Sequence, residues 1–272
     1  MASKDLKVKK KTFKAIQNRY TYILSCYELY RNNPFNKDYI HRLRVEMRKL
    51  RALLSFLKPI INKEVYGKLN NNFRDLGKLL SPLRDLDTLI GIMSEIAKSK
   101  PALINNYANI FSYLEKERYQ SAKEGTKKKF IKEFDQLLFE TNTVETLEFA
   151  LEETNTATFE RFIKERYKHK AEKMKKHYKK LDQTNYEAIH EVRKEAKKVR
   201  YAAVGFKTIL PKKKRKKIKT NAIYIQEHLG QLTDKHVSID LLSLYRDKAK
   251  DEQIKQSFQI IIDYQLNKID TT

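Results

Sequence analysis

Tryptophan is absent from this sequence, and six glycines and five prolines are few for 272 residues. So few turn formers argues against a turn-rich β fold and favours long helices. The single cysteine, Cys26, excludes an internal disulfide and fits a reducing compartment, so a cytoplasmic location is the expectation. The opening MASKDLKVKKK has no apolar segment behind it, which argues against a signal peptide, and no apolar run is long enough to span a membrane. Acids are scarce as well. There are 34 against 58 lysines and arginines, a net charge of +24.

What is present is a chain that can build a core. Apolar residues make up 40%, too many for compositional disorder, and the length suits one large domain or two modest ones. Two sources account for the charge. An AT-rich genome that favours Lys, Asn, Ile, Tyr and Phe scatters lysines over exposed faces, whereas an anionic partner selects basic residues at fixed spacing.

Apolar positions recur at helical spacing almost throughout, and no stretch alternates like a strand. The pattern predicts helices over about 13–31, 36–57, 63–80, from Ser81 onward, from Pro101 toward Gly125, over 126–153, 157–181, 187–209, from the lysine run 212–217 through Leu229, and from about Ile254. Ser81-Pro82 reads as an N-cap followed by proline at the first helical position. The expected fold class is all-α.

The stretch HRLRVEMRKLR at 41–51 returns as HEVRKEAKKVR at 190–200, an offset of 149 residues. His41 matches His190, Arg44 matches Arg193, Arg48 matches Lys197, Lys49 matches Lys198 and Arg51 matches Arg200. Further on, Leu80-Ser81-x-Leu83-x-Asp85 matches Leu229-Gly230-x-Leu232-x-Asp234, so both blocks keep 44 residues from His to Asp. Two blocks in one register suggest a duplicated helical unit, with halves 1–148 and 149–272 and a boundary near 141–156.

At about 100° per residue, His41, Arg44, Arg48 and Arg51 share an arc of roughly 80°, opposite Leu43, Leu50, Leu53, Leu54 and Leu57. The second copy does the same with His190, Arg193, Lys197 and Arg200. An ordinary amphipathic helix would also put charges on one face. But four like charges on one face repel, and arginine forks suit phosphate oxygens in a chain that otherwise prefers lysine. A stripe about three turns long, used twice, suits a linear polyanion. Asp85 and Asp234 are candidates to hold the stripe arginines in place. The pair Asp85 and Asp87 raises metal or acid–base chemistry, but the second copy has His236 in place of Asp87. The six histidines show no metal-ligand spacing.

These motifs resemble the CHAD family of histidine-bearing α-helical domains, over about residues 10–265. The family pattern is His-x-x-Arg-x-x-x-Arg-Arg-x-Arg, then Leu-Gly-x-x-Arg-Asp-x-Asp, then a second His-x-x-Arg helix with Leu-Gly-x-x-x-Asp. Here Ser81 replaces a glycine, and Lys197 and Lys198 replace arginines. The resemblance implies two pseudo-symmetric four-helix bundles around a basic channel or groove. It also implies binding of inorganic polyphosphate without turnover, with no cofactor or metal, in a stand-alone form lacking a triphosphate-tunnel domain. The implied binding residues are His41, Arg44, Arg48, Lys49, Arg51, His190, Arg193, Lys197, Lys198 and Arg200, with Asp85 and Asp234 orienting them. The implied location is the cytoplasm, at polyphosphate granules. The alternative partner is nucleic acid, bound through the same charge without a reading motif. A phosphatase or kinase would need metal-binding acids or a P-loop, and neither is visible.

Overall fold

The helical periodicity is realised almost without interruption. The computed structural model describes residues 2–141 and 156–270, and among these every regular element is helical. Helix α1 spans Ala2–Asn32, α2 Lys37–Leu57, α3 Lys63–Leu79, α4 Ser81–Ser99, α5 Ile104–Glu124 and α6 Lys128–Thr141. Helix α7 spans Thr156–Lys179, α8 Tyr186–Gly205, α9 Lys212–Lys248 and α10 Glu252–Asp270. Single 3₁₀ turns at Lys58–Ile60 and Pro101–Leu103 form where proline cannot continue an α-helix. The expected end of a helix at residue 153, the boundary near 141–156 and the division between 148 and 149 lie outside the described residues.

Three boundaries differ from the sequence expectation. Helix α1 begins at Ala2, well before residue 13. Ser81 is not an N-cap: its Oγ donates back to the Gly77 carbonyl at 3.0 Å, and Leu80 occupies the cap without a side-chain bond. The second copy has no break at Gly230, and α9 runs on for 37 residues. The reason is local. Pro82 has no backbone N–H to continue the ladder from α3, while the matching position, Gln231, does.

Helix boundaries keep the offset seen in the motifs. Helices α2 and α8 start at 37 and 186, α3 and α9 at 63 and 212, and α4 and α9 end at 99 and 248, each pair 149 apart. Both motif helices also open on an asparagine cap. Asn36 accepts from the Asp38 N–H and Asn185 from the Ala188 N–H, which satisfies donors that the first turn leaves free.

The apolar faces gather into two cores. The larger joins α1, α2, α3 and α6 to α7, α8 and the first half of α9, through Ile23, Leu50, Phe73, Phe134, Phe159, Val199 and Ile225. The smaller is a four-helix arrangement of α4, α5, α10 and the second half of α9, built on Leu89, Met93, Ile110, Leu114, Leu242, Phe258 and Ile261. Each core takes helices from both halves of the sequence, and α9 runs through both. Two buried tyrosines keep their hydroxyls bonded: Tyr20 donates to the Leu138 carbonyl at 2.7 Å and Tyr27 to Asp135 at 2.8 Å. The motif helices meet near their C-terminal ends. The Phe56 and Phe206 rings lie 4.8 Å apart. A Cβ on Gly205 would fall well inside van der Waals distance of Leu53 Cδ2, so only glycine fits there undisturbed.

Candidate anion-binding site

Burying Leu43, Leu50, Leu54 and Leu57 of α2 and Val192, Val199 and Ala203 of α8 turns each cationic stripe toward its neighbours. Arg48 and Arg51 of α2 line a cleft with Lys194, Lys197 and Lys198 of α8. The cleft is about 390 Å³; Ala52 and Ser55 of α2, Tyr66 and Asn70 of α3 and Tyr201 of α8 complete its wall, and no acid lines it. Arg51 donates to Asn70 Oδ1 at 3.3 Å, and Lys194 pairs with Glu191 at 2.8 Å. Arg48, Lys197 and Lys198 have no ion-pair partner among the described residues.

The electrostatics show how tightly these charges are gathered. Burial, then Arg193 and Arg48, push the Lys197 amine down to about 8. Arg48 belongs to α2, so the two stripes face each other across the cleft. Burial also pushes Arg51 down, with Arg74 and Arg48 adding to it. Lys198 extends the field toward α7, where burial, Arg166 and Lys198 lower Lys170.

The stripe does not reach the cleft as a unit. Lys49 and Arg200 line a second pocket of about 300 Å³ with Arg19, Lys219 and the apolar side chains Leu53, Val204 and Ile223. Tyr201 stands between the two, contributing to both. Lys49 lies about 80° from His41 on the side away from the arginines, at about 100° per residue, so its helix angle already set it apart. The two pockets exchange residues at the 149-residue offset: Arg51 for Arg200, Ser55 for Val204, Asn70 for Lys219 and Lys49 for Lys198. Each therefore pairs the last arginine position of one motif with the lysine of the other.

Arg44 and Arg193 lie half-buried against the neighbouring helices. Arg44 Nη1 donates to the Gly77 carbonyl at 2.6 Å and to Ser81 Oγ at 3.1 Å. It thereby caps the negative end of α3, where Pro82 interrupts the ladder. Arg193 lies over Gly230, whose added Cβ would meet Nη2 at 3.3 Å, and it pairs with Asp234 at 3.2 Å. Asp234 is otherwise open to solvent, with 67% of its side chain exposed. Asp85 differs: it influences Arg44 only through charge, and burial raises its carboxyl against the pull of Arg44, Arg84 and Lys248.

The histidines sit at the stripe ends. Burial, then Arg84 and Arg48, lower His41; burial, then Lys194 and Lys197, lower His190. Both are therefore neutral near pH 7. His190 Nδ1 is buried without a hydrogen-bond partner. Asp87 is committed elsewhere, in a buried pair with Arg118 of α5 at 2.7 Å, and Arg118 also donates to the Phe35 carbonyl. No group of three or more His, Cys, Asp or Glu among the described residues could hold a metal. None of the described helices is long and apolar enough to cross a membrane.

Sequence reasoning missed Arg19, Tyr66, Asn70, Lys194, Tyr201 and Lys219. Applying the 149-residue offset beyond the motif would have linked Asn70 to Lys219. Nothing local marks Arg19, which reaches the site from α1 by pairing with Glu46.

The CHAD domain family model matches residues 14–243. No curated protein matches the chain. Among solved structures it is similar to the crystal structure of the CHAD domain from the plant Ricinus communis, with a TM-score of 0.69 and 18% identity, covering 97% of this chain and 84% of that one. It is also similar to PptA from Streptomyces chartreusis, with a TM-score of 0.63 and 10% identity, covering 97% and 95%. At these identities the structural likeness is one of fold.

Proposed function

This chain belongs to the CHAD domain family, and from that premise we propose that it binds inorganic polyphosphate, without turning it over, in the cleft between α2, α3 and α8. The observation that carries the reading is the cleft wall itself: five cations from both motif helices and no acid. An anion entering the cleft relieves the mutual repulsion there. Arg48 and Arg51 supply forked donors, while Lys194, Lys197 and Lys198 act as point charges. His41 and His190, neutral at the ends, become donors as an anion raises their affinity for protons. Arg44 and Arg193 act mainly by fixing α2 on α3 and α8 on α9. A cytoplasmic place at polyphosphate granules belongs to the same reading.

The test is binding of long-chain polyphosphate, single-stranded RNA and duplex DNA at matched charge in about 150 mM salt, where long-range attraction is screened. Arg48→Ala with Lys197→Ala should weaken polyphosphate binding by at least about tenfold, since charge-assisted bonds contribute about 1.5–3 kcal/mol each. Equal binding to all three polymers, or no loss in the double variant, would overturn the reading. Arg44→Ala is a poorer probe, because it also unties the end of α3. Stronger binding to RNA would favour nucleic acid, with Tyr66 and Tyr201 on the cleft wall as stacking surfaces.

A further inference from the structure

The pocket on the α1 flank differs chemically from the polyphosphate cleft, although it holds the offset-equivalent positions. Arg19, Lys49, Arg200 and Lys219 reach it from four helices. Glu46 accepts from both Arg19 and Lys49 at 2.5 Å. One acid against four bases leaves an excess of three positive charges. The Arg19–Glu46–Lys49 network also fixes two of the cations before any ligand arrives, which lowers the ordering cost of binding. Arg200 stacks its guanidinium 5.0 Å over the Tyr201 ring and donates to its hydroxyl at 3.3 Å.

One wall is apolar. Val204 and Ile223 stand where the equivalent positions hold Ser55 and Arg74. Val204 is 43% exposed, so it is not consumed by the core. Leu53 forms the floor. A bare phosphate chain gains nothing from such a wall, whereas a ligand joining a phosphate group to an organic body uses both sides. The pocket, about 300 Å³, is at the lower end of the range for small-ligand sites, about 300–1,000 Å³.

We propose that this pocket binds a compact phosphorylated organic anion, of the size and charge of a nucleoside triphosphate, independently of the polyphosphate cleft. Cations hold the phosphates, and Val204, Ile223 and the Tyr201 ring take the body. The proposal does not rest on the polyphosphate reading, because the two sites share only Tyr201.

Calorimetric titration of the full chain with ATP and with inorganic tripolyphosphate, in about 150 mM salt, tests it. The expected result is one ATP per chain, bound more tightly than tripolyphosphate. Lys219→Asn, which installs the residue found at the equivalent position, should weaken ATP about tenfold, as removal of one charge-assisted bond implies. Val204→Ser should weaken ATP while leaving tripolyphosphate unchanged. Arg48→Ala with Lys197→Ala should leave ATP binding intact even where it abolishes polyphosphate binding. Thermal midpoints of all variants, with Lys219→Ala as a second probe of that position, separate impaired binding from impaired folding. The proposal is overturned by no ATP binding, by ATP binding abolished only in the cleft variant, or by ATP binding no more tightly than tripolyphosphate with its affinity unchanged in Val204→Ser.

Discussion

Lys197 is held below its ordinary lysine range because burial and the charges of Arg193 and Arg48 oppose its protonation. The folded chain thus binds this proton less tightly than the unfolded chain. The stability contribution is present above the unfolded value and is lost as pH falls through about 8. Polyphosphate binding runs the other way, because an anion in the cleft restores the proton. Affinity should fall as pH rises from about 7 to about 9, with proton uptake on binding near the top of that window. Calorimetry in two buffers of different ionisation enthalpy measures this uptake, and Lys197→Arg, charged throughout, should abolish that component. His41 and His190 are lowered for the same reasons. Their stability contribution is likewise lost as pH falls below the ordinary histidine value, while binding strengthens there. Arg118 makes a different residue-scale case. It is 6% and Asp87 2% exposed, so Arg118→Ala leaves a buried carboxylate unpaired and should cost about 3–5 kcal/mol of stability, read by urea denaturation.

At the scale of elements, the close approach of α2 and α8 depends on a missing side chain. Gly205→Ala places a methyl group against Leu53, and overpacking of this kind costs about 1–3 kcal/mol. Adding Leu53→Ala makes room, so the double variant should be less destabilised than the sum of the single variants, and a double-mutant cycle in urea would show it. The α3–α4 break and the unbroken α9 form a second contrast. Gln231→Pro reproduces Pro82 in the second copy and should cost about 3 kcal/mol. A change near zero would mean that α9 already tolerates the bend seen between α3 and α4.

For the whole molecule, the +24 charge attracts anions at long range, and on the proposed reading the cleft is where that attraction acts at short range. Affinity for polyphosphate should therefore fall linearly on a logarithmic plot against salt, as condensed counterions are released. Removing Arg48 and Lys197 should flatten that slope by about one unit for each phosphate that is no longer neutralised. Neutralising Lys212, Lys213 and Lys214, which are exposed in the first turn of α9, should slow association and leave the selectivity for polyphosphate over RNA unchanged. That comparison separates general attraction from the cleft.

The all-helical class, most helix limits and the two basic faces were legible along the chain, because each depends on neighbours a few residues away. The leucine face of α2 and the arginines opposite it follow from spacing alone, whereas the asparagine caps at 36 and 185 came from the structure. How those faces are shared came from the packing of the helices. Arg19 joined Lys49 on the far flank because α1 packs on α2 and pairs Arg19 with Glu46. Arg44 turned to the Gly77 carbonyl and Ser81 Oγ because α2 packs on α3 and brings it to the last turn of that helix. Lys197 came to face Arg48 because Gly205 lets α8 close on Leu53. These pairings join residues far apart in the chain, and periodicity along one helix carries no information about which helix covers it.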